Sequence, residues 1–289
     1  MSNRIAAGLF ALFLTLAGCS PKIAPNAPKI AETAYPRFVP AADIINFKYD
    51  TIPQWMYPDD SLYITDSFPD AATFLPPPPP TDTTNAQFDW DFLIWKWGKS
   101  QRETERGKQA SQESLYGIVR MCTIYSEIFG FVIHPDTTPA IYRFMLYSGE
   151  TGYRATINAK NKYHRMRPFE LMNDSIWGEF DGEYLRGDGS YPSGHAALGW
   201  ATALALTKMI ADEEGKYDED LNKFIIWRGY QYGESRVIVG AHWLSDFEAG
   251  IDVADTIFPA MCKSPRYRQH LEAARQEYQA LKKLQDKTD

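Results

Sequence analysis

The sequence predicts an all-α fold made of a single helical-bundle domain, and three observations carry that prediction. Apolar residues recur at helical i, i+3 and i+4 spacing through most of the chain after about residue 88. Helix start signals precede some of these segments, as at Thr138-Pro139, and candidate strands are few and short. The length of 289 residues suits one large domain or two small ones, and the 44% apolar content allows a sizeable core.

The N-terminus has the composition of an export signal, which we place at residues 1–18. Arg4 supplies a short positive region, an apolar run covers residues 5–16, and small residues follow. The run is shorter than the roughly 20 apolar residues of a transmembrane helix. Its end, Leu16-Ala17-Gly18-Cys19, resembles the bacterial lipoprotein processing box. That resemblance implies cleavage before Cys19, a lipid on its thiol, and an exported protein of the periplasm or cell envelope tethered to a bacterial membrane. The alternative is an ordinary signal peptide with a chance cysteine.

Residues 19–73 are predicted to form a Pro-rich spacer and N-terminal extension. Most of the 19 prolines lie between residues 20 and 85, and they end in the run Pro76 to Pro80. Proline-rich sequence is stiff and extended, and it forms neither helix interior nor central strand. We expect the first part to be a spacer from the membrane. The later, aromatic-containing part is expected to wrap the surface of the domain that follows at 74–289.

The helices of that domain follow in order from the apolar periodicity. The first is a short segment that contains Phe92, Trp95 and Trp97, and the second is a long helix over about 103–131. The third starts at Thr138, as N-cap, with Pro139 in the first helical position, and it continues to about residue 163. Further helices are predicted at 195–213, 219–231, 242–258 and 266–285.

Charge and cysteine content limit the possible partners. The net charge is −7 and no Lys/Arg stripe is present, so nucleic acid is not an expected partner. Neither a Cys/His metal-ligand spacing nor His-Glu-x-x-His occurs, so no metal or other cofactor is expected. Apart from Cys19, the chain has Cys122 and Cys262. An oxidising compartment permits a disulfide between them, and two buried free thiols explain the sequence equally well.

Two polar clusters lie just beyond the middle of the chain. The first, residues 160–168, reads by itself as a basic helix end that is stopped by a proline. The second, residues 192–195, precedes an apolar helix whose free N–H groups and dipole would bind an anion. The alternative is a simple N-cap by Ser193, with His195 as a satisfied core group. A serine-hydrolase elbow fits less well, because Gly-x-Ser-x-Gly needs glycine where Tyr191 and His195 stand.

The third cluster contains Ser235-Arg236, His242 and Asp246. If His242 opens a helix, Asp246 lies one turn further on the same face. Its carboxylate can then accept a hydrogen bond from one imidazole nitrogen, which leaves the other nitrogen free as base or nucleophile. Taken by itself, such a pair is more often a structural His–Asp contact than a catalytic one.

Together the three clusters indicate phosphate chemistry. Lys160, Arg167 and Arg236 are three cations without matched carboxylates in the pattern, next to a helix N-terminus and two histidines. Catalysis of phosphoryl transfer is mainly positioning and electrostatic stabilisation, for which such charge is suited. One imidazole can attack phosphorus while the other protonates the leaving oxygen.

The spacing also resembles a known family. Lys160-x6-Arg167-Pro168, Pro192-Ser193-Gly194-His195 and Ser235-Arg236-x5-His242-x3-Asp246 resemble the three-part signature of the type 2 phosphatidic acid phosphatase superfamily, which includes vanadium haloperoxidases. The similarity extends to bacterial class A non-specific acid phosphatases over roughly residues 74–285. It includes "LPPPPP" at 75–80, "DGSYPSGH" at 188–195 and "RGYQYGESRVIVGAHWLSD" at 228–246.

This resemblance implies an all-α bundle and a cofactor-free, metal-independent phosphomonoester hydrolase of broad specificity that acts through a phosphohistidine. Such enzymes often form homodimers or larger oligomers, and their substrates are small phosphomonoesters. The resemblance implies that His242 is the nucleophile, Asp246 orients it, and His195 is the general acid. The phosphate would be bound by Lys160, Arg167, Ser193, Gly194 and Arg236.

Two departures from the family pattern leave rate and substrate preference open. Ala196 stands where these phosphatases usually have threonine, and Ala241 stands where tyrosine is common. The alternative enzymes are an envelope lipid or lipid-pyrophosphate phosphatase and a vanadate-dependent haloperoxidase. A non-catalytic binding module would be indicated by loss of His195, His242 or Asp246, and all three are present.

Overall fold

The structure is a computed structural model that describes residues 68–81, 85–114, 117–178 and 182–286. Regular secondary structure in these ranges is entirely helical, without a strand, which confirms the predicted all-α class. None of the described helices is both long and apolar enough to cross a bilayer. The predicted signal peptide at 1–18, the lipidation site Cys19 and most of the extension at 19–73 lie outside the described residues.

The helices of the described ranges are numbered here in chain order. They are α1 (Ala71–Phe74), α2 (Ala86–Gln101), α3 (Glu105–Gln112), α4 (Ile118–Phe129), α5 (Pro139–Arg154), α6 (Ile157–Tyr163), α7 (Pro168–Leu171), a short 3-10 helix (Glu183–Leu185), α8 (Gly194–Ile210), α9 (Glu219–Ile238), α10 (Leu244–Lys263) and α11 (Pro265–Gln285).

Helix α8 is the central element of the bundle. It packs most extensively on α9 and α5, and then on α10. Its sequence is apolar nearly all round, which is the pattern of a helix buried on every side. Small residues let the neighbouring backbones approach closely. A Cβ built on Gly152 of α5 would lie 2.5 Å from the Ala197 carbonyl oxygen, and one on Gly199 would lie 2.8 Å from that of Gly229.

Two of the predicted helices are each divided in the structure. The long helix expected over 103–131 consists of α3 and α4. Gly117 precedes α4 with φ of 114°, a backbone conformation that cannot continue a right-handed helix. The helix expected from Thr138 to residue 163 divides into α5 and α6. Near that junction the Thr156 hydroxyl donates to the Tyr153 carbonyl at 2.6 Å, a local bond that competes with the helix ladder.

Other helix ends differ by a few residues from the prediction. Helix α9 continues to Ile238, seven residues past its predicted end. Gly233 lies inside it at a close contact with α8, where a Cβ would be only 2.9 Å from Ala196 Cα. Helix α10 begins at Leu244 and continues through Pro259 to Lys263. The predicted N-cap at Thr138 with Pro139 as first helical residue is confirmed.

The two remaining cysteines are free thiols, which answers the question that the sequence left open. Cys122 is buried and Cys262 is half-buried. Burial raises the pKa of both thiols, so each is held in its protonated form.

The segment from residue 71 to residue 76, at the junction of the predicted extension and domain, packs on the helices that follow. Leu75 and Ala71 are buried in a small cluster with Tyr191. The hydroxyls of Tyr163 and Tyr191 donate to the carbonyls of Leu75 and Pro76 at 2.8 and 2.9 Å. This segment therefore supports the turn that leads into α8.

Candidate active site

The three sequence clusters line one pocket of about 160 Å³. Helix α6 contributes Lys160, and Arg167 comes from the position directly before α7. Helix α8 contributes Gly194 and His195 at its N-terminus, helix α9 contributes Arg236, and the loop after α9 contributes His242. The complete lining is Tyr153, Lys160, Arg167, Tyr184, Leu185, Asp188, Gly194, His195, Arg236 and His242.

The turn before α8 is held by its own cap and by α10. The Ser193 hydroxyl accepts a hydrogen bond from the Ala196 N–H at 3.3 Å, which confirms Ser193 as the N-cap. The Ser193 N–H donates to the Asp246 carbonyl oxygen at 2.8 Å. Glycine is required at position 194, because a Cβ would lie 2.5 Å from the Tyr153 ring. Gly194 therefore lines the pocket, whereas Ser193 is fully buried and lies behind the pocket lining.

His242 lies in the loop before α10 and not in the helix itself. Trp243 is the N-cap, and its N–H donates to Asp246 Oδ2 at 2.8 Å, as in a capping box. The same oxygen lies 3.5 Å from His242 Nδ1. The expectation that His242 opens the helix is therefore wrong. The predicted His–Asp contact forms nevertheless, because Asp246 reaches back over the first turn.

Arg167 is fixed by several acceptors around its guanidinium group. Its Nη1 lies 3.2 Å from His242 Nε2 and donates to the Ala241 carbonyl at 3.0 Å. Its Nη2 pairs with Asp188 Oδ2 at 2.8 Å. The expectation of three cations without matched carboxylates is therefore wrong for Arg167. The sequence did not show this partner, because Asp188 is 21 residues away along the chain.

Lys160 and Arg236 are the buried pocket cations that have no carboxylate at ion-pair distance within the described ranges. Lys160 Nζ donates to the Gly189 carbonyl at 2.7 Å, and Arg236 Nη1 donates to that of Ser114 at 3.3 Å. Burial, with the charge of Arg167 next in importance, lowers the pKa of Lys160 to about 7 and that of Arg236 to about 10. Arg236 keeps its charge at neutral pH, while Lys160 titrates there.

Both histidines are neutral in the folded protein at neutral pH. Burial, assisted by Arg236 and other nearby cations, holds the pKa of His195 well below its usual range. Burial and Arg167 do the same to the pKa of His242. A proton on Nδ1 of His242, facing Asp246, would leave Nε2 as the nitrogen that carries the lone pair. A bound anion opposes the cations and raises the pKa of His195, so a protonated His195 is expected only with phosphate present.

Arg165 and Asp91 belong to the site although no role was predicted for them. Arg165 Nη1 binds Asp246 Oδ1 at 2.7 Å, and Arg165 Nη2 binds Asp91 Oδ2 at 2.7 Å. Burial tends to raise the pKa of Asp246, but the charge of Arg165 and the adjacent His242 ring outweigh it and hold that pKa far below its usual range. The available signal for Asp91 was an acidic residue in the aromatic stretch "FDWDFLIW", which by itself points to no partner.

Comparison with known proteins agrees with the motif signature. The PAP2 superfamily matches residues 141–269, a range that contains every predicted catalytic and phosphate-binding residue. The chain is 35% identical over 215 residues to a non-specific acid phosphatase of Providencia stuartii, covering 74% of this chain and 83% of the relative. It is 34% identical over 219 residues to a non-specific acid phosphatase of Salmonella typhimurium, covering 75% and 83%. For one of Salmonella typhi the identity is 36% over 207 residues, covering 71% and 78%. The chain therefore belongs to the PAP2 superfamily and, within it, to the family of bacterial non-specific acid phosphatases.

Proposed function

We propose that this protein hydrolyses small phosphomonoesters of varied structure through a phosphohistidine on His242, without a metal ion. Phosphatase activity itself follows from its family. The observation that carries the finer proposal is the position of His242 Nε2. His242 lines a pocket in which the cations Lys160 and Arg236 have no carboxylate partner among the described residues, and its Nε2 lies 3.2 Å from the third cation, Arg167.

The pocket is suited to a phosphate group because its excess charge is positive and hydrogen bonds hold its cations in place. Lys160, Arg167 and Arg236 would bind the non-bridging oxygens, together with the N–H of Gly194 at the start of α8. In a buried site these interactions are stronger than in water, and the groups need little reorganisation. Ser193 contributes by holding the turn, since its hydroxyl caps the helix.

In the first step, His242 Nε2 attacks phosphorus while the bond to the leaving oxygen breaks. Protonated His195 gives its proton to that oxygen, and the alcohol leaves. Asp246 keeps the Nδ1 proton in place and balances the positive charge that develops on the imidazole ring. In the second step, water attacks phosphorus, neutral His195 takes the proton of the water, and the bond between phosphorus and Nε2 breaks.

This cycle predicts a bell-shaped dependence of kcat on pH, since His242 must be neutral and His195 must be protonated when the ester is bound. An activity that rises steadily into alkaline solution would contradict these assignments.

The direct test is hydrolysis of p-nitrophenyl phosphate by the purified protein, with and without EDTA, next to a His242→Ala variant. We expect EDTA-resistant turnover that falls at least about a thousandfold in the variant. His270→Ala is the matched control, because His270 packs on Tyr147 from α11 and is absent from the pocket lining.

Phosphate bound covalently to His242 in a rapidly quenched reaction would support the intermediate. Turnover that EDTA abolishes, or that survives His242→Ala, would contradict the proposal. Halide oxidation with added vanadate and peroxide, in place of phosphate release, would favour the haloperoxidase alternative.

We also propose that the protein is exported and held at a bacterial membrane by a lipid on Cys19. The support is the sequence Leu16-Ala17-Gly18-Cys19 after a short apolar run. We expect the native chain in the membrane fraction of cells and a Cys19→Ala variant outside it. Equal membrane association of both chains would contradict the anchor.

A further inference from the structure

A line of three buried charged side chains leads from α2 to the reactive histidine. Asp91 of α2 binds Arg165 at 2.7 Å, and Arg165 binds Asp246 at 2.7 Å. The three side chains are only 2%, 3% and 0% exposed. Asp246 Oδ2 in turn lies 3.5 Å from His242 Nδ1. Neither Asp91 nor Arg165 lines the pocket, so both would act on the reaction through Asp246.

The same residues hold the first turn of α10. The Ser245 N–H donates to Asp91 Oδ1 at 2.8 Å, and the Ser245 hydroxyl donates to Asp91 Oδ2 at 2.6 Å. Arg165 Nη1 also donates to the Ser245 hydroxyl at 2.7 Å. Asp91 is thus a carboxylate at the N-terminus of α10, where the helix dipole favours negative charge. This contact fixes the helix turn from which Asp246 reaches His242.

The charges of Asp91, Arg165 and Asp246 together determine what the His242 ring faces. Arg165 by itself would neutralise Asp246, and the His242 ring would then face no net negative charge. Asp91 offsets the arginine, so the three side chains together carry one negative charge. In a buried site that charge is weakly screened and would favour the cationic form that His242 takes during phosphoryl transfer.

We propose that Asp91 and Arg165 are positioning residues that keep one net negative charge, and one carboxylate geometry, behind the reactive nitrogen of His242. This inference rests on the proposed phosphohistidine mechanism. It assigns a catalytic contribution to two side chains that contact neither phosphate nor the leaving group.

The charge contribution can be tested with Asp91→Asn, which preserves the shape and one of the two acceptor oxygens while it removes one negative charge. We expect kcat for p-nitrophenyl phosphate to fall about tenfold or more, as for other residues that orient a catalytic ligand. KM and the Ki of inorganic phosphate should change little, because the phosphate-binding groups are untouched. The acid limb of kcat/KM should move to lower pH, since His242 with less negative charge nearby loses its proton more readily.

The other charged and titratable groups that face His242 remain the same in this variant. The two closest are Asp246, from α10, and Arg167, which directly precedes α7. The others line the same pocket. They are the charged Lys160, Asp188 and Arg236 and the titratable His195, Tyr153 and Tyr184. A change in the acid limb can therefore be assigned to the lost charge of Asp91.

The geometric contribution can be tested with Arg165→Lys, which keeps the charge but not the forked contact to two carboxylates. We expect a lower kcat with an unchanged acid limb and an unchanged phosphate Ki. If Asp91→Asn does not fold, this variant decides the question by itself, and an unchanged kcat overturns the proposal. Asp255→Asn is a control on the same helix as Asp246, since Asp255 accepts from Trp200 at the surface.

The proposal is overturned if folded Asp91→Asn keeps the native kcat and acid limb. It is also overturned if kcat and phosphate affinity fall together without movement of the limb, as a purely structural role predicts. Failure of the phosphohistidine mechanism is a separate result, because it appears as turnover by His242→Ala in the otherwise native protein.

Discussion

Single residues of the pocket behave according to how deeply their charge is buried. Lys160 and Arg236 are both buried among cations, and both have a lowered pKa. Arginine starts from a much higher value and remains charged, while the pKa of Lys160 falls to about 7. In the proposed mechanism Lys160 is thus a phosphate-binding cation whose charge is lost near neutral pH.

We therefore predict that Lys160→Arg extends activity to higher pH. In the native protein Lys160 is charged below about pH 7 and neutral above it, so kcat/KM should fall as pH rises through about 7. An arginine stays charged throughout, so the fall should move to higher pH. The measurement is the pH profile of kcat/KM for p-nitrophenyl phosphate. Lys162→Arg, an exposed lysine on the same helix, should leave the profile unchanged. The same alkaline limb in both variants would contradict the prediction.

At the scale of helices, the site depends on how closely α8 and α10 approach each other. Gly250 of α10 faces the turn before α8, and a Cβ there would lie 2.4 Å from the Ser193 carbonyl oxygen and 2.8 Å from Ala196 Cβ. The same turn is bound to α10 through the Ser193 N–H and the Asp246 carbonyl. The positions of Gly194 and His195 are therefore set by this helix contact.

Gly250→Ala is predicted to destabilise the protein and lower its activity together. Overpacking of a close helix contact decreases the free energy of unfolding by about 1–3 kcal/mol. The displaced turn would also move His195, so kcat should fall. In a helix without this contact, alanine would instead be more favourable than glycine by about 1 kcal/mol. Urea unfolding thus separates the two cases by the sign of the change, and a more stable variant would contradict the close contact.

At the scale of the whole molecule, the buried ionisable groups link folding to pH. Burial tends to raise the pKa of Glu113, but Arg228 and Arg106 outweigh it and lower the pKa to about 2. The pKa of Asp246 is also lowered, as are those of His195 and His242. In each case the unfolded chain binds protons more readily than the folded protein.

We therefore predict that the free energy of unfolding falls as the pH falls below about 6.5, in two stages. The unfolded histidines take up protons near pH 6.5 while the buried histidines remain neutral, so their contribution is lost first. The carboxylate contribution is complete above about pH 4.5 and is lost as the pH falls towards about 2, the pKa of folded Glu113. Urea unfolding at a series of pH values measures both stages. Burial raises the pKa of Glu248 to about 7, which opposes the histidine stage, so the comparison is made in a Glu248→Gln background. There, stability that stays constant from pH 7 to pH 5 would contradict the buried neutral histidines.

The excess positive charge of the pocket also predicts stabilisation by inorganic phosphate. An anion that binds only the folded protein raises the free energy of unfolding by about 2.7 kcal/mol at a hundredfold excess over its Kd. Thermal unfolding in phosphate, compared with chloride at equal ionic strength, should show a saturable rise in Tm. The rise should be much smaller in Arg236→Gln, which lacks a pocket cation. An equal rise in both proteins would indicate binding outside this pocket.

The sequence by itself determined the all-α class, the caps at Thr138 and Ser193, and the family. It also predicted that His195 and His242 lie near a common set of cations, and all of them line one pocket in the structure. Helix periodicity and capping depend on residues within a turn or two of each other, so they can be read from a linear pattern. The same reading missed the break before Ile118, because apolar periodicity continues across Gly117 and carries no information about its positive φ.

Only the tertiary structure decided which charges are paired behind and around those histidines. Asp188 meets Arg167 across 21 residues of chain, and Arg165 meets Asp91 and Asp246 across 74 and 81. No short-range pattern encodes such distances, because helix packing brings these side chains together. Burial is likewise a property of the folded bundle. The sequence therefore supplied the reactive residues, and the packing of α2, α8 and α10 set their partners and their protonation.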